Sequence, residues 1–316
     1  MILPIAILLG SFLLLALAGK WLIDALSRIG VYLKLKEFVL AFLIVGIGAT
    51  IPNLIIGVVS ALHKIPELSF GDVMGANIFD ISIVVGLAAL ISCGGLSSNS
   101  RTVQGSSVFV IIIALLPLFL IFDGNLSRMD GAVLLAAFAV YTVWLFSKKD
   151  RFTKIYENYP QKFSTKEIVK DVLIIFAGLV LLFIGGQGVV YSAMFLYETF
   201  HLPLGLIGIF IVAIGTCAPE VFFSLQAARK GQDWMILGSL MGNVVATSTF
   251  VLGVVSLITP IKIVDFSPFI IARLFLIIAA LSFFFFTKTG RKITKKEGLI
   301  LIGIYIAFLI TQILIR

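Results

Sequence analysis

The sequence predicts an all-α polytopic membrane protein with ten transmembrane helices, arranged as two inverted five-helix repeats. Of its 316 residues, 60% are hydrophobic and 13% are charged, which is far from the composition of soluble domains. Largely uncharged runs recur at about 20 residues, the length that a helix needs to cross a bilayer. A motif near residue 50 returns 167 positions later, which indicates a duplicated membrane domain.

The apolar runs predict ten spans and leave no residues for a soluble domain. The predicted spans are Leu3–Leu26, Phe38–Leu62, Val73–Ser97, Val108–Phe122, Gly131–Phe146, Val172–Leu196, Leu204–Ala228, Ile236–Thr259, Phe269–Phe286 and Leu299–Ile315. We expect residues 1–147 to form the first repeat, 148–170 a polar cytoplasmic linker, and 171–316 the second repeat.

The basic residues are concentrated in every second connection between spans. The rich connections include Arg28, Lys34 and Lys36, Arg101, the central loop from Lys148 to Lys170, Arg229 and Lys230, and the cluster from Lys288 to Lys296. The positive-inside rule places these connections in the cytoplasm and both termini outside. Because five spans is an odd number, the second repeat enters the membrane upside down relative to the first.

Other classes of function find little support in the sequence. The net charge is +8, but the basic residues are distributed according to membrane topology, so no nucleic-acid partner is expected. The lipid bilayer is the expected environment, and no protein partner can be inferred. Cys93 and Cys217 are the only cysteines and both fall in predicted spans, which argues against a thiolate metal site. No span carries a His/Glu metal motif or a Ser with a His base, so an enzyme is the weakest hypothesis.

The repeated motif reads Val45-Gly-Ile-Gly-Ala-Thr-Ile-Pro-Asn53 in the first copy and Val212-Ala-Ile-Gly-Thr-Cys-Ala-Pro-Glu220 in the second. Its register continues, because Gly71, Gly75 and Gly86 lie opposite Gly238, Gly242 and Gly253. Proline leaves a backbone carbonyl without its helical hydrogen bond. In the membrane interior such a carbonyl needs a partner, and it can coordinate a bound cation. We therefore expect Gly46, Gly48 and Pro52 to loosen one helix, and Gly215 and Pro219 the other.

Polar side chains follow each motif at matched distances. Asp80 comes 27 residues after Asn53, and Thr247 comes 27 residues after Glu220, so antiparallel neighbouring helices should bring all four near the midplane. Further polar residues surround them: Thr50, Asn77, Ser82, Thr216, Asn243, Ser248 and Thr249. Because nearly all the donors are oxygen atoms, the pattern favours hard cations such as Ca²⁺ and Na⁺.

The repeated Gly-x-x-x-Pro-[Glu/Asn], followed by Gly-x-x-x-x-[Asp/Thr], resembles the two alpha repeats of the calcium/cation antiporter superfamily, especially prokaryotic sodium/calcium exchangers. The likeness covers essentially the whole chain, and Thr216-Cys-Ala-Pro-Glu220 resembles the family's Gly-Thr-Ser-x-Pro-Glu. The resemblance implies alternating access, in which one Ca²⁺ and several Na⁺ compete for a midplane site. It also implies that the first and sixth helices slide across a bundle formed by the others.

The chain departs from the family pattern within the site. The first repeat ordinarily carries Glu at the position of Asn53 and hydroxyls at Ala49 and Ala76, and the second ordinarily carries Asp or Asn at Thr247. Three central carboxylates are thereby reduced to the two acids named above.

Charge counting then gives an expectation for the transport cycle. Asp72, at the start of the predicted third span, is interpreted as a helix cap or entrance charge, which leaves Asp80 and Glu220 as the acids at midplane depth. If both are ionised, the site is neutral with one divalent or two monovalent cations. Exchange would then be nearly indifferent to membrane voltage.

These observations favour a Na⁺-driven Ca²⁺ antiporter of a prokaryotic cell membrane that needs no cofactor. In this hypothesis Asp80 and Glu220 neutralise Ca²⁺, Asn53 and Thr247 add neutral oxygens, and the Na⁺ ligands are Thr216, Asn243 and backbone carbonyls. One alternative keeps the fold but couples to H⁺, since a carboxylate desolvated in the membrane can load a proton. A cation channel, whose fluxes would need no counter-ion, is an alternative of a different class.

The alternation of basic connections makes a prediction about topology. Single cysteines near Lys154 and near Lys295, in a background without Cys93 and Cys217, should react with an impermeant thiol reagent only from the cytoplasmic side. A cysteine at Asn125 should react only from outside. Labelling of the Lys154 and Asn125 positions from the same side would contradict the inverted arrangement.

Overall fold

The computed structural model describes residues 2–32, 47–99, 101–147, 165–263 and 266–314. Within these residues, eight helices are long and apolar enough to cross a membrane, and two helices joined at a 40° bend form a further candidate span. The predicted second span is described only from Ile47 onward, as a shorter apolar helix. Most of the predicted linker, residues 148–164, lies outside the described residues. The protein is a helical, multi-pass membrane protein.

The described residues of the first half form six α-helices and two short strands. They are α1 (Ile2–Tyr32), α2 (Ile47–Leu62), α3 (Pro66–Phe79), which continues through a π-helical turn (Asp80–Val84) into α4 (Val85–Ile91), β1 (Leu96–Ser97), α5 (Arg101–Leu120), β2 (Asn125–Leu126) and α6 (Arg128–Ser147). The third crossing begins at Pro66, seven residues before the predicted start at Val73. Proline is favoured at the first helical position, so the helix includes polar residues that precede the apolar run.

The second half repeats this order. It contains α7 (Thr165–Phe200), α8 (Leu204–Leu206), a π-helical turn (Ile207–Val212), α9 (Ala213–Thr216), α10 (Ala218–Arg229), α11 (Asp233–Val245), a π-helical turn (Ala246–Val251), α12 (Leu252–Ile258), β3 (Ile261–Lys262), α13 (Ser267–Lys288), β4 (Lys292–Ile293) and α14 (Lys295–Leu314).

The two proline motifs have different local structures. In the second motif the helix breaks at Cys217, and α10 starts with Ala218 and Pro219, so that Glu220 lies in its first turn. In the first motif, by contrast, Pro52 lies inside the continuous helix α2. The prediction of a loosened helix just before Asn53 is therefore wrong for the described residues, and Gly46 lies outside them.

Contacts between the halves come in corresponding pairs, at or within two residues of the 167-residue offset. β1 pairs with β4 at one end of the bundle, and β2 pairs with β3 at the other. A Cβ atom at Gly86 would lie 2.7 Å from the carbonyl oxygen of Gly298, and one at Gly253 would lie 3.0 Å from that of Gly131. Each repeat therefore packs its third crossing against the fifth crossing of the other.

Two helix starts show the same correspondence. Ser127 and Asp130 form a capping box at the start of α6, where the Ser127 hydroxyl accepts from the Asp130 amide and the carboxylate accepts from the Ser127 amide. Thr294 and Glu297 form the equivalent box at the start of α14. Capping boxes satisfy amide groups that have no partner inside the helix.

Glycines allow α3 to approach the segment from α8 to α9 at backbone distance. A Cβ atom at Gly71 would overlap the carbonyl oxygen of Gly205, and one at Gly75 would overlap that of Ile209. Gly208 faces Leu68 in the same way. Small residues at helix crossings are the usual means of close packing in membranes.

Helices α1 and α7 form an antiparallel pair with its own apolar core. Their buried residues, together with Ile56, Val59 and a few neighbours, form one hydrophobic cluster, whereas most of the remaining crossings share a second, larger cluster. The Arg28 guanidinium donates to both carboxylate oxygens of Asp171 at 2.9 and 3.1 Å. At the other end, the Ser192 hydroxyl donates to the Pro4 carbonyl. The pair is thus held together along its length.

The glycine contact predicts the effect of a single methyl group. Gly75→Ala should lower the thermal stability of the purified protein, because its Cβ would overlap Ile209 and overpacking costs about 1–3 kcal/mol. Gly303→Ala, in α14, is the matched control because nothing lies within 4 Å of its Cβ position. Thermal loss of monodisperse protein in detergent measures both. Equal midpoints for the two variants would contradict the packing argument.

Candidate functional site

Asp80 and Glu220 line one small cavity between the two halves. Its volume is about 20 Å³, and the other polar side chains in its wall are Ser224, Ser239 and Asn243. The Asp80 Oδ1 and Glu220 Oε2 atoms are buried and have no hydrogen-bond partner among the residues that the structure describes. Because about 10–15 Å³ is enough for one water molecule, this cavity has the size for a single small ion.

Asn243 connects Asp80 to the first proline motif. Its amide nitrogen donates to Asp80 Oδ2 at 2.7 Å, and its amide oxygen accepts from the Thr50 hydroxyl at 2.8 Å. All three side chains are at most 2% exposed. The predicted residues Thr50, Asn243 and Asp80 therefore form one hydrogen-bonded chain that orients the carboxylate.

A second hydrogen-bonded group joins the predicted residues Asn77, Thr247 and Ser248. The Thr247 hydroxyl lies 2.9 Å from the Asn77 amide oxygen, and the Asn77 amide nitrogen donates to the Ser248 hydroxyl at 2.8 Å. This group connects α3 to the π-helical turn Ala246–Val251 of the second half. Thr247 is not among the residues that line the Asp80–Glu220 cavity.

Both π-helical turns after α3 and α11 occur at predicted site residues. Asp80 opens the first turn and Thr247 lies in the second. The Ser82 and Thr249 hydroxyls donate to carbonyls of their own helices, those of Ile78 and Val245. Single π-helical turns are frequent at functional sites, and here they shift the register of the helix where the polar residues lie.

A third group contains Asn53, Thr216 and an acid that the sequence reading placed at the entrance, Asp72. The Asn53 amide donates to Asp72 Oδ2 at 3.0 Å and lies 3.2 Å from the Thr216 hydroxyl, which lies 3.1 Å from Asp72 Oδ1. Asp72 is 0% exposed. Asn53 is not among the residues that line the Asp80–Glu220 cavity.

The interpretation of Asp72 as a cap or entrance charge is wrong. The helix begins at Pro66, so Asp72 lies well inside it and cannot serve its first turn. Asp72 is thus a third acid in this region, beside Asp80 and Glu220, that the count of two carboxylates did not include. Voltage-indifferent exchange, which was expected from two acids, therefore loses its basis. The signal for this residue was Pro66, which marks a helix start before the uncharged run.

The donor set fits hard cations. The described residues hold no group of three or more His, Cys, Asp or Glu side chains arranged to bind a metal, and Asp72 does not line the cavity that Asp80 and Glu220 share. The groups around Asp80 and Glu220 are instead carboxylate, hydroxyl and amide oxygens, which Ca²⁺ and Na⁺ accept as ligands. Cys217 is buried among Ala76, Ala213 and Phe79, as a small apolar residue would be.

Relatives of this chain include transporters of named function. The sodium/calcium exchanger MaX1 of Methanosarcina acetivorans is 23% identical, over 96% of this chain and 97% of that protein. The putative antiporter CaxA of Alkalimonas amylolytica is 27% identical, over 81% of each. The solved structure of the sodium-calcium exchanger NCX_Mj, soaked with Na⁺ and Sr²⁺, has a TM-score of 0.69 and 25% identity, over 98% of both chains.

A family model assigns the chain as a whole. The model of the sodium/calcium exchanger protein family matches residues 3–147 and again residues 170–314. These two matches cover more than half of the 316 residues. The chain belongs to the sodium/calcium exchanger protein family.

Proposed function

We propose that this protein exchanges Na⁺ for Ca²⁺ and binds the divalent ion between Asp80 and Glu220. The observation that carries the proposal is a pair of buried carboxylate oxygens, Asp80 Oδ1 and Glu220 Oε2, that have no partner in residues that line one cavity. A buried acceptor without a partner is costly. A bound cation supplies that partner for both acids at once.

Neutral groups complete the proposed site. Asn243 and Ser239 line the same cavity and supply an amide and a hydroxyl next to the two carboxylates. Thr50 holds the Asn243 amide by a hydrogen bond. The other predicted ligands lie outside this cavity, Asn77, Thr247 and Ser248 in the neighbouring polar group and Asn53 and Thr216 in the group around Asp72. Ca²⁺ takes six to eight oxygen ligands, so backbone carbonyls and water complete the set.

The transport cycle follows from two features of the fold. The paired contacts between the halves support two inverted repeats, residues 1–147 and 171–316, joined by a linker at 148–170 and with both termini outside. The α1–α7 pair supports alternating access, because its buried residues belong to a cluster separate from the larger one, shared with parts of α2, α3 and the segment 207–212. Ile23 of α1 lines the cavity, and Phe12 lies against Gly215 beside the bend. Sliding of this pair would expose the site to each side in turn.

A flux experiment tests the proposed coupling. Sealed vesicles containing the purified protein, loaded with Na⁺ and diluted into Na⁺-free buffer with ⁴⁵Ca²⁺, should accumulate Ca²⁺, and a pH gradient alone should not drive uptake. Protein-free vesicles are the control. Uptake driven only by the pH gradient would instead indicate H⁺ coupling, and uptake that needs no counter-ion gradient would indicate a channel.

The two acids of the cavity should both be essential. Asp80→Asn and Glu220→Gln should each reduce Na⁺-driven Ca²⁺ uptake by about 100-fold or more, because removing one partner from a desolvated charge cluster costs about 3–5 kcal/mol. Asp123→Asn is the matched control, since Asp123 is exposed beyond the end of α5. Size-exclusion profiles establish that each variant is folded. Normal uptake by a folded Asp80→Asn or Glu220→Gln protein would move the site elsewhere.

A further inference from the structure

The buried acid Asp72 has no role in the site proposed above. We propose that Asp72, Asn53 and Thr216 form a separate Na⁺ subsite, in which Asp72 carries the charge that Asn53 lacks. This inference rests on the proposed function, since it names the ligands of one of the exchanged ions.

The surroundings of Asp72 lack a countercharge. Its hydrogen-bond partners are the neutral side chains of Asn53 and Thr216, and no Lys, Arg or His of the described residues forms an ion pair with it. Two neutral donors only partly offset the cost of placing a carboxylate in the membrane interior. A monovalent cation beside Asp72 would remove that cost.

The Thr216 hydroxyl can release Asp72 without any movement of the backbone. Its oxygen lies 3.1 Å from Asp72 Oδ1 and also 3.1 Å from the Ala213 carbonyl oxygen, but a hydroxyl has one hydrogen to donate. If that hydrogen points to Ala213, then Asp72 Oδ1 and the hydroxyl oxygen both become free to bind a cation. Rotation of the Asn53 amide would bring its oxygen to the same ion.

In the two halves, the acid lies at opposite members of one pair of corresponding positions. Asn53 and Asp72 correspond to Glu220 and Ser239, at the offset of 167. In the second half the acid follows the proline and the hydroxyl lies on the next crossing. In the first half an amide follows the proline and the acid lies on the next crossing. Each half thus supplies one carboxylate from this pair of positions, and Asp72 takes the place of the acid that residue 53 lacks.

The proposed subsite is separate from the Asp80–Glu220 cavity. Asp72 precedes Asp80 by eight residues on one continuous crossing, which is about 12 Å along a helix axis, and it does not line the cavity. A cation at Asp72 would therefore be distinct from one in the Asp80–Glu220 cavity. With Asp72 ionised the region carries three negative charges, so a Ca²⁺-loaded and a Na⁺-loaded carrier can differ in net charge.

Asp72→Asn, which removes the charge and keeps the shape of the side chain, tests this subsite. Asp72→Asn should raise the Na⁺ concentration for half-maximal Ca²⁺ uptake by about tenfold, because a charged hydrogen-bonding group is worth about 1.5–3 kcal/mol. It should also lower the Hill coefficient for Na⁺ by about one and weaken the dependence of uptake on membrane voltage. Asp123→Asn, whose carboxylate is exposed beyond the end of α5, is the matched control and should leave the Na⁺ dependence unchanged.

The double variant Asn53→Asp with Asp72→Asn returns one carboxylate to the same hydrogen-bonded pair. It should recover the Na⁺ dependence, and it keeps the test informative if Asp72→Asn alone does not fold. An unchanged Na⁺ dependence in folded Asp72→Asn, a folded double variant without recovery, or a change in pH dependence alone would overturn the subsite. Absence of Na⁺-driven Ca²⁺ uptake in the unmodified protein would instead overturn the proposed function itself.

Discussion

Close backbone contact between α3 and the segment from Leu204 to Thr216 brings together the acids Asp72, Asp80 and Glu220. Gly71, Gly75, Gly205 and Gly208 remove the side chains that would keep these elements apart. Because the backbones touch, Thr216 reaches Asp72, and the break at Cys217 falls beside Ala76. Glu220, in the first turn after the break, then faces the same cavity as Asp80. A larger residue at this contact would move Thr216 away from Asp72 and Glu220 away from Asp80.

The second constraint is electrostatic. Three carboxylates are buried in the membrane interior, where an uncompensated charge is expensive, and the protein meets this cost with amides, hydroxyls and, in our proposal, the transported ions. Asn243 and Asn53 each donate to one acid, which leaves other lone pairs available for a cation.

In our proposal, α1 and α7 move together relative to the larger bundle. Their shared core and the Arg28–Asp171 ion pair join them to each other, whereas their contact with the larger bundle includes the wall of the ion cavity. Exposed surface ion pairs usually contribute little, but this one is bidentate and the Asp171 carboxylate is largely buried. Movement of the pair as one body would change access to the cavity without disrupting the larger core.

The sequence by itself determined the membrane class, the duplication, and most of the crossings, because apolar length and the 167-residue offset are properties of the chain alone. It also identified Asp80, Glu220, Thr50, Asn77, Asn243, Thr247 and Ser248 as polar residues within the spans. Tertiary structure decided how they are grouped. Which oxygens remain without partners at Asp80 and Glu220 depends on contacts between residues more than 140 positions apart, such as Asn243 with Asp80. The burial of Asp72 was missed because hydropathy begins the span at Val73, whereas the helix begins at Pro66 and packs against a distant segment.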